Sequence, residues 1–179
     1  MVNGHTKNLA PSLHVRLATG VALLSSGLLA GAFLFGWATV APTFAEVPLE
    51  VHLTYRVELM KFNGTIMPPL MVITIAALIW FTAVTGGSAR ACAAGAIGLA
   101  IAALLTTMFG NVPINGQIKE WATGSLPADY QETLSAWGTF HDIRFTTAVG
   151  AFVLLIVAAG WTSRDRRADS VERRAAERN

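Results

Sequence analysis

Four apolar stretches, near positions 17–41, 66–85, 91–109 and 145–161, constrain this chain more than any other feature. A helix rises 1.5 Å per residue, so about 20 residues cross the roughly 30 Å of bilayer hydrocarbon. The last stretch is the shortest, and its helix is expected to begin well before the apolar part. Composition agrees: 53% of the 179 residues are hydrophobic and 13% charged, against roughly a quarter charged in globular domains. The expected fold is all-α, a four-transmembrane-helix bundle. It forms one domain over 1–162, with spans about 17–41, 66–85, 91–109 and 143–162, followed by a basic cytoplasmic tail over 163–179.

Small residues in "APTFAEV" offer a peptidase site after the first stretch. Its apolar core exceeds the usual 7–15 residues of a signal peptide, and three more spans follow, so a retained helix is the expectation. Lys7 and Arg16 precede span one, Arg90 lies between spans two and three, and six arginines from Arg164 to Arg178 follow span four. The other two connections hold Arg56, Lys61, Lys119 and Arg144 among seven acidic residues. The positive-inside rule places both termini in the cytoplasm and the two longer connections outside, in a multi-pass protein of the plasma (inner) membrane. The basic excess thus has a topological cause, and no nucleic-acid partner is expected. The tail reads as a solvated helix that touches anionic lipid. Cys92 is the sole cysteine and excludes an internal disulfide or a cysteine zinc site.

Gly27 and Gly31 in span one, and Ala91, Ala94, Gly95 and Gly98 in span three, make small faces for close helix packing. Packing within the bundle or into a homo-oligomer would use them equally. Between spans one and two, Val51, Tyr55, Glu58 and Phe62 recur at helical spacing behind Pro48. An extracytoplasmic amphipathic helix is expected there, over the outer mouth of the bundle, ending in a turn near Asn63-Gly64.

The fourth helix is expected to start near Ser125 to Ala128, with Ser125 as cap and Pro127 in the first turn. From there Tyr130, Leu134, Trp137, His141, Arg144 and Ala148 form one stripe. Arg144 lies where the apolar run begins, a costly place for a charge without a partner, a cavity or headgroups. Interfacial anchoring explains each of Trp137, His141 and Arg144 singly. All three on one stripe suit the lining of a site equally well. In "GNVPING", Pro113 predicts that span three ends near Asn111, with Asn115-Gly116 turning the chain. The asparagine amides then either close that turn or orient an oxygen-bearing ligand.

His52, Tyr55, Arg56 and Glu58 are expected at the same end, and His5 and His14 at the other. His52 and His141 would be the ligands of a metal, although no spacing is diagnostic. The alternative is direct chemistry, with His141 as base and Arg144 as charge stabiliser.

"NVPINGQIKEW", Trp137 and "FHDIR" at 140–144 resemble the anthrone-oxygenase-like family of small four-span membrane proteins, many grouped as a domain of unknown function. "GLLAGAFLFGWATVAP" and "FNGTIMPPLM" extend the resemblance, which runs from about Gly27 to Trp161. The resemblance implies a four-helix fold and, for the characterised branch, oxidation of an anthrone to an anthraquinone with dioxygen and no flavin or haem. It carries over Asn111, Asn115, His141 and Arg144 as catalytic positions, and His52 more loosely. Trp137, His52, Tyr55 and Glu58 are the expected substrate-binding residues.

The expected function is thus a membrane-embedded oxidoreductase acting on a small, apolar, aromatic substrate near the outer face, with no cofactor required. The alternative is a non-enzymatic membrane subunit packed into an oligomer or partner complex. A carrier is disfavoured, because no span centre holds an ionisable residue and span two has no mid-span Gly–Pro break.

Overall fold

The computed structural model describes residues 10–176, and these are helical almost throughout. Helix α1 is Ala10–Phe35, α2 Ala41–Glu46, α3 Leu49–Val84, α4 Gly87–Thr106, α5 Val112–Trp121 and α6 Tyr130–Ala176. A π-turn, Gly36–Val40, joins α1 to α2, and a second, Thr107–Asn111, joins α4 to α5. Four continuous helical rods result, each long and apolar enough to cross a membrane. The chain is a multi-pass membrane protein.

The rods run up and down in chain order, with α1 against α3 and α6, and α4 against α3 and α6. At the end near the start of α1, Ala18, Ala22, Phe81, Ala89, Ala93, Ala96, Ala151 and Leu155 form a tight core. Small side chains let α4 and α6 approach until Gly95 faces Leu154 and Gly150 faces Leu99. A methyl on either glycine would sit 3.2 or 3.1 Å from the leucine. A middle layer follows, with Leu29, Phe33, Met71, Ala103 and Ala148. A third cluster of Leu53, Ile114 and Ile118, flanked by Trp121, Trp137 and Phe140, closes the far end. Outward, Leu24, Leu28, Ile73, Leu105, Phe109 and Ile156 are exposed, as a lipid-facing surface requires.

Several expectations need correction. Span three does not end near Asn111, and Asn115-Gly116 is not a turn. The backbone widens to an i→i−5 bond from Val112 N–H to Thr107 O, and helix resumes with Pro113 in its first turn. The wider turn moves aside the carbonyl that the proline ring would otherwise strike. The same device precedes Pro42, where Ala41 N–H bonds to Gly36 O.

The segment before span two is helical, but no turn separates them. It is the first part of the 36-residue α3, which passes through Asn63-Gly64 and holds Pro68 and Pro69 inside. Its inward face is His52, Leu53 and Arg56, while Val51, Tyr55 and Phe62 point out. Helix α6 starts at Tyr130, so Ser125 and Pro127 lie in the preceding loop. The buried face of α4 is Ala89, Ala93, Ala96, Ala100 and Ala103, and Ala91, Ala94 and Gly98 are exposed. Gly27 does pack, since a Cβ there would lie 3.4 Å from the Phe152 ring, whereas one at Gly31 would meet nothing within 4 Å. The basic tail continues α6 to Ala176, and its arginine side chains lie outside the described residues, as do Lys7 and His5.

Candidate functional site

Between the middle layer and the closing cluster lies a layer of polar groups supplied by all four rods. Helix α6 contributes Trp137, His141 and Arg144, spaced so that one face carries all three. His141 is 3% exposed. Arg144 folds back along its own helix, placing Nε 3.1 Å and Nη2 2.9 Å from His141 Nδ1. A guanidinium only donates, so Nδ1 must accept and the ring proton resides on Nε2. That Nε2 faces the backbone of Gly36, the one hydrogen-bonding group it meets, without a bond of good geometry. The Gly36 position tolerates this approach because it has no Cβ: one would lie 3.2 Å from Cε1 and 3.3 Å from Nε2 of the imidazole.

Helix α3 repeats the pairing. Arg56 Nε donates to His52 Nε2 at 3.1 Å, which fixes that histidine as neutral, with its proton on Nδ1. Arg56 is 6% exposed, and its Nη1 is buried without a partner. The His52 ring stacks on Phe44 of α2 at 4.5 Å, and the Arg56 guanidinium lies 4.7 Å from the same phenyl.

Trp137 joins the two halves. Its ring centroid is 4.0 Å from the Arg56 guanidinium carbon, 5.4 Å from that of Arg144 and 5.0 Å from the His141 ring. Phe33 supports Arg144 from below at 5.0 Å. Aromatic faces attract cations by their quadrupole, by about 0.5–2 kcal/mol each, but they do not neutralise them.

Helix α5 aligns the tryptophan. Trp137 Nε1 donates to Asn115 Oδ1 at 2.8 Å, and Asn111 Nδ2 donates to the Trp137 carbonyl at 3.1 Å. Asn111 is fully buried, and its Oδ1 has no partner. The asparagines therefore tie α5 to α6 rather than closing a turn. Both can do so because the π-turn carries the helix past Pro113 and keeps 111 and 115 on one face.

Of the residues expected at the site, the structure brings together His52, Asn111, Asn115, Trp137, His141 and Arg144. It does not bring in Tyr55 or Glu58. Tyr55 is 52% exposed and touches the site only through an edge contact with Phe44 at 6.1 Å. Glu58 is exposed and pairs with Lys61. Arg56, expected at this end but given no role, joins the site, as do Phe44 and Gly36, which were not expected there. The i, i+4 spacing of Arg56 from His52 was the available signal.

The donor set does not fit a metal held by His52 and His141. Each ring's lone pair accepts a guanidinium hydrogen bond, and two guanidiniums oppose a further cation. Among the described residues, no group of three or more His, Cys, Asp or Glu could hold an ion. What the arrangement suits is the reverse charge: a largely buried layer with two cations and an unpaired guanidinium N–H.

Comparison with known proteins gives one match. The family model described as anthrone oxygenase matches residues 58–154, more than half of the chain. The matched segment holds Asn111, Asn115, Trp137, His141 and Arg144, and it excludes Gly36, Phe44, His52 and Arg56. No curated protein and no solved structure matches the chain.

Proposed function

This chain belongs to the anthrone oxygenase family, and from that premise we propose that it oxidises a small, flat, anthrone-like substrate with dioxygen, using the layer around Trp137. The observation that carries the proposal is the pair of arginines in one layer, Arg56 buried and Arg144 half-buried, with Arg56 Nη1 and Asn111 Oδ1 left unsatisfied there. Native proteins rarely leave buried polar groups unpaired, and an unpaired group beside aromatic rings can receive a substrate atom. The non-enzymatic alternative expects His141 and Arg144 in solvent or headgroups, and His141 is instead buried.

In the proposed reaction the methylene opposite the anthrone carbonyl becomes a second carbonyl, and dioxygen supplies that oxygen and leaves its other atom as water. The first step removes a proton from the methylene carbon and forms an enolate. Arg144 occupies the only lone pair of His141 until a substrate oxygen draws the guanidinium away. Nδ1 then takes the carbon-bound proton while Arg144 holds the enolate oxygen, with the Asn115 amide as a further donor. The electron-rich carbon passes electrons to dioxygen, forms a carbon–oxygen bond, and loses water from the resulting hydroperoxide. No flavin, haem or metal is required in this scheme. The site is proposed to face the outer side of the plasma membrane, with both termini cytoplasmic.

The test is oxygen uptake by purified protein supplied with an anthrone such as emodin anthrone, alongside metal and chromophore analysis. Uptake by colourless, metal-free protein supports the scheme. Uptake that tracks a stoichiometric metal or chromophore, and is lost with it, refutes it.

A further inference from the structure

We infer that Arg56, paired with His52 and held between Phe44 and Trp137, is a second anion-binding subsite, and that the substrate is an aromatic bearing an acidic oxygen that this guanidinium receives. The inference rests on the proposed function for the aromatic character of the substrate. Its own ground is the chemistry of Arg56.

A guanidinium keeps its charge in nearly any surroundings. Arg56 is 6% exposed, and its near neighbours are an imidazole and two aromatic rings. Arg144 adds a second positive charge near the same indole, within 5.4 Å of its centroid. Two like charges in a layer between apolar clusters repel more strongly than they would in water. Yet the only ion pair among the described residues is the exposed Lys61–Glu58 contact. The other acids of this end, Glu46, Glu50, Glu120, Asp129, Glu132 and Asp142, are exposed.

Arg144 has a task in the proposed chemistry and spends two of its donors on His141. Arg56 has none there. It spends Nε on His52, and Nη1 remains buried and unpartnered. An arginine held against two aromatic rings, with Nη1 unpartnered, is preorganised to receive an oxyanion in its plane. Because Trp137 is already covered by Arg56 and His141, a bound aromatic meets the edge of the guanidinium rather than the indole face. The acidic oxygen is a carboxylate or a phenolate, separate from the carbonyl oxygen held by Arg144. Residues 52 and 56 lie in the first turns of α3, just before the segment that the family model matches.

The test compares anthracene-2-carboxylate with anthracene-2-carboxamide, which share a shape and differ in charge. Neither has a methylene to oxidise. Binding to the full chain in zwitterionic-lipid nanodiscs is read by energy transfer from tryptophan, with empty nanodiscs correcting for partition. The carboxylate is expected to bind at least about tenfold more tightly, the scale of a charge-assisted hydrogen bond. Arg56→Gln removes that preference, Arg56→Lys keeps part of it, and Lys119→Gln, on the exposed side of α5, leaves it intact. Equal affinities in the unaltered protein overturn the inference, as does a preference that survives Arg56→Gln. The unaltered protein decides the matter even if a variant fails to assemble. Charge-selective binding without anthrone oxidation would sink the proposed function and leave the subsite standing. Oxidation without charge selectivity would do the opposite.

Discussion

Gly110 offers a sharp perturbation, because its replacement tests how α5 is held against α6. A Cβ built at Gly110 falls 2.5 Å from Phe140 Cγ, 2.6 Å from Cδ1 and 2.8 Å from Cδ2. Carbon atoms in contact sit about 3.5–4.0 Å apart, so Gly110→Ala demands a displacement of about 1 Å. The nearest atom is Cγ, the root of the ring, so rotating the ring about its own axis does not relieve the clash. Either χ1 leaves its well, at about 0.5–1.5 kcal/mol, or α5 and α6 separate, with overpacking costing about 1–3 kcal/mol. Separation also lengthens the Asn111 and Asn115 bonds to Trp137, each worth about 1 kcal/mol. The expected loss for Gly110→Ala is therefore about 2–3 kcal/mol. Phe140→Ala alone opens a half-buried space and should cost about 2 kcal/mol, below the fully buried range. In the double variant the clash is gone and the alanine methyl partly fills the space, so the loss should be near that of Phe140→Ala. The assay is equilibrium unfolding by SDS in mixed micelles, followed by far-UV circular dichroism on all four proteins. A coupling of about 2 kcal/mol is expected, and strict additivity of the two losses would refute the packing argument.

The remaining predictions concern the site. His141→Ala should abolish oxygen uptake on an anthrone while the protein stays helical and monodisperse; turnover at the normal rate would remove His141 as the base. His141→Gln separates two roles, since it keeps an N–H donor but no base: activity is expected to stay lost, and recovery would make the histidine a donor only. Gly36→Ala should reduce turnover at least about tenfold with a small change in stability, because its methyl would press on His141 at 3.2–3.3 Å; an unchanged rate shows that the ring has room to move. Asn111→Leu breaks the bond to the Trp137 carbonyl and should cost about 1–3 kcal/mol in the same unfolding assay, and a neutral result would make that bond dispensable.

Much of this was legible in the chain, and the parts that were not share a physical cause. The α6 stripe could be read because Trp137, His141 and Arg144 lie on one helix, where spacing alone fixes the face. The pairing of Arg56 with Trp137 joins residues 81 positions apart, and no local period reveals it. The first turns of α3 were misjudged for another reason. Val51, Tyr55 and Phe62 form the apolar stripe of that segment, and in a water-soluble protein such a stripe marks the inward face. Here the surroundings are apolar, so the stripe points outward while His52 and Arg56 turn in. Reading the segment by membrane rules would have placed Arg56 at the site beside His52 and left Tyr55 outside. Pro113 misled in a third way: it forbids a regular α-turn at its position, but it does not forbid helix. One residue added to the preceding turn removes the clash and lets the rod continue.

That extra residue links backbone geometry to chemistry. Each π-turn carries one glycine onto α6, and the two glycines meet consecutive residues. Gly36 approaches His141 from α1, and Gly110 approaches Phe140 from the far end of α4. A regular α-helix through either position would rotate the following segment by about 100° for each residue gained or lost. On the α4 side Asn111 and Asn115 would then leave the face of Trp137, and on the α1 side Phe44 would leave His52. The energetic disadvantage of the wider turns is offset by three interlocking contacts: Phe44 on His52, the asparagines on Trp137, and the close passage of α6 between the two glycines. Removing one π-turn by deleting a residue within 107–111 should therefore disorder the arginine layer more than a cavity mutation of similar stability cost, because it changes which side chains face it. The comparison with Phe140→Ala at matched stability measures that difference. If the deletion variant still prefers anthracene-2-carboxylate to its amide and still consumes oxygen, the register of α5 is not what positions the site.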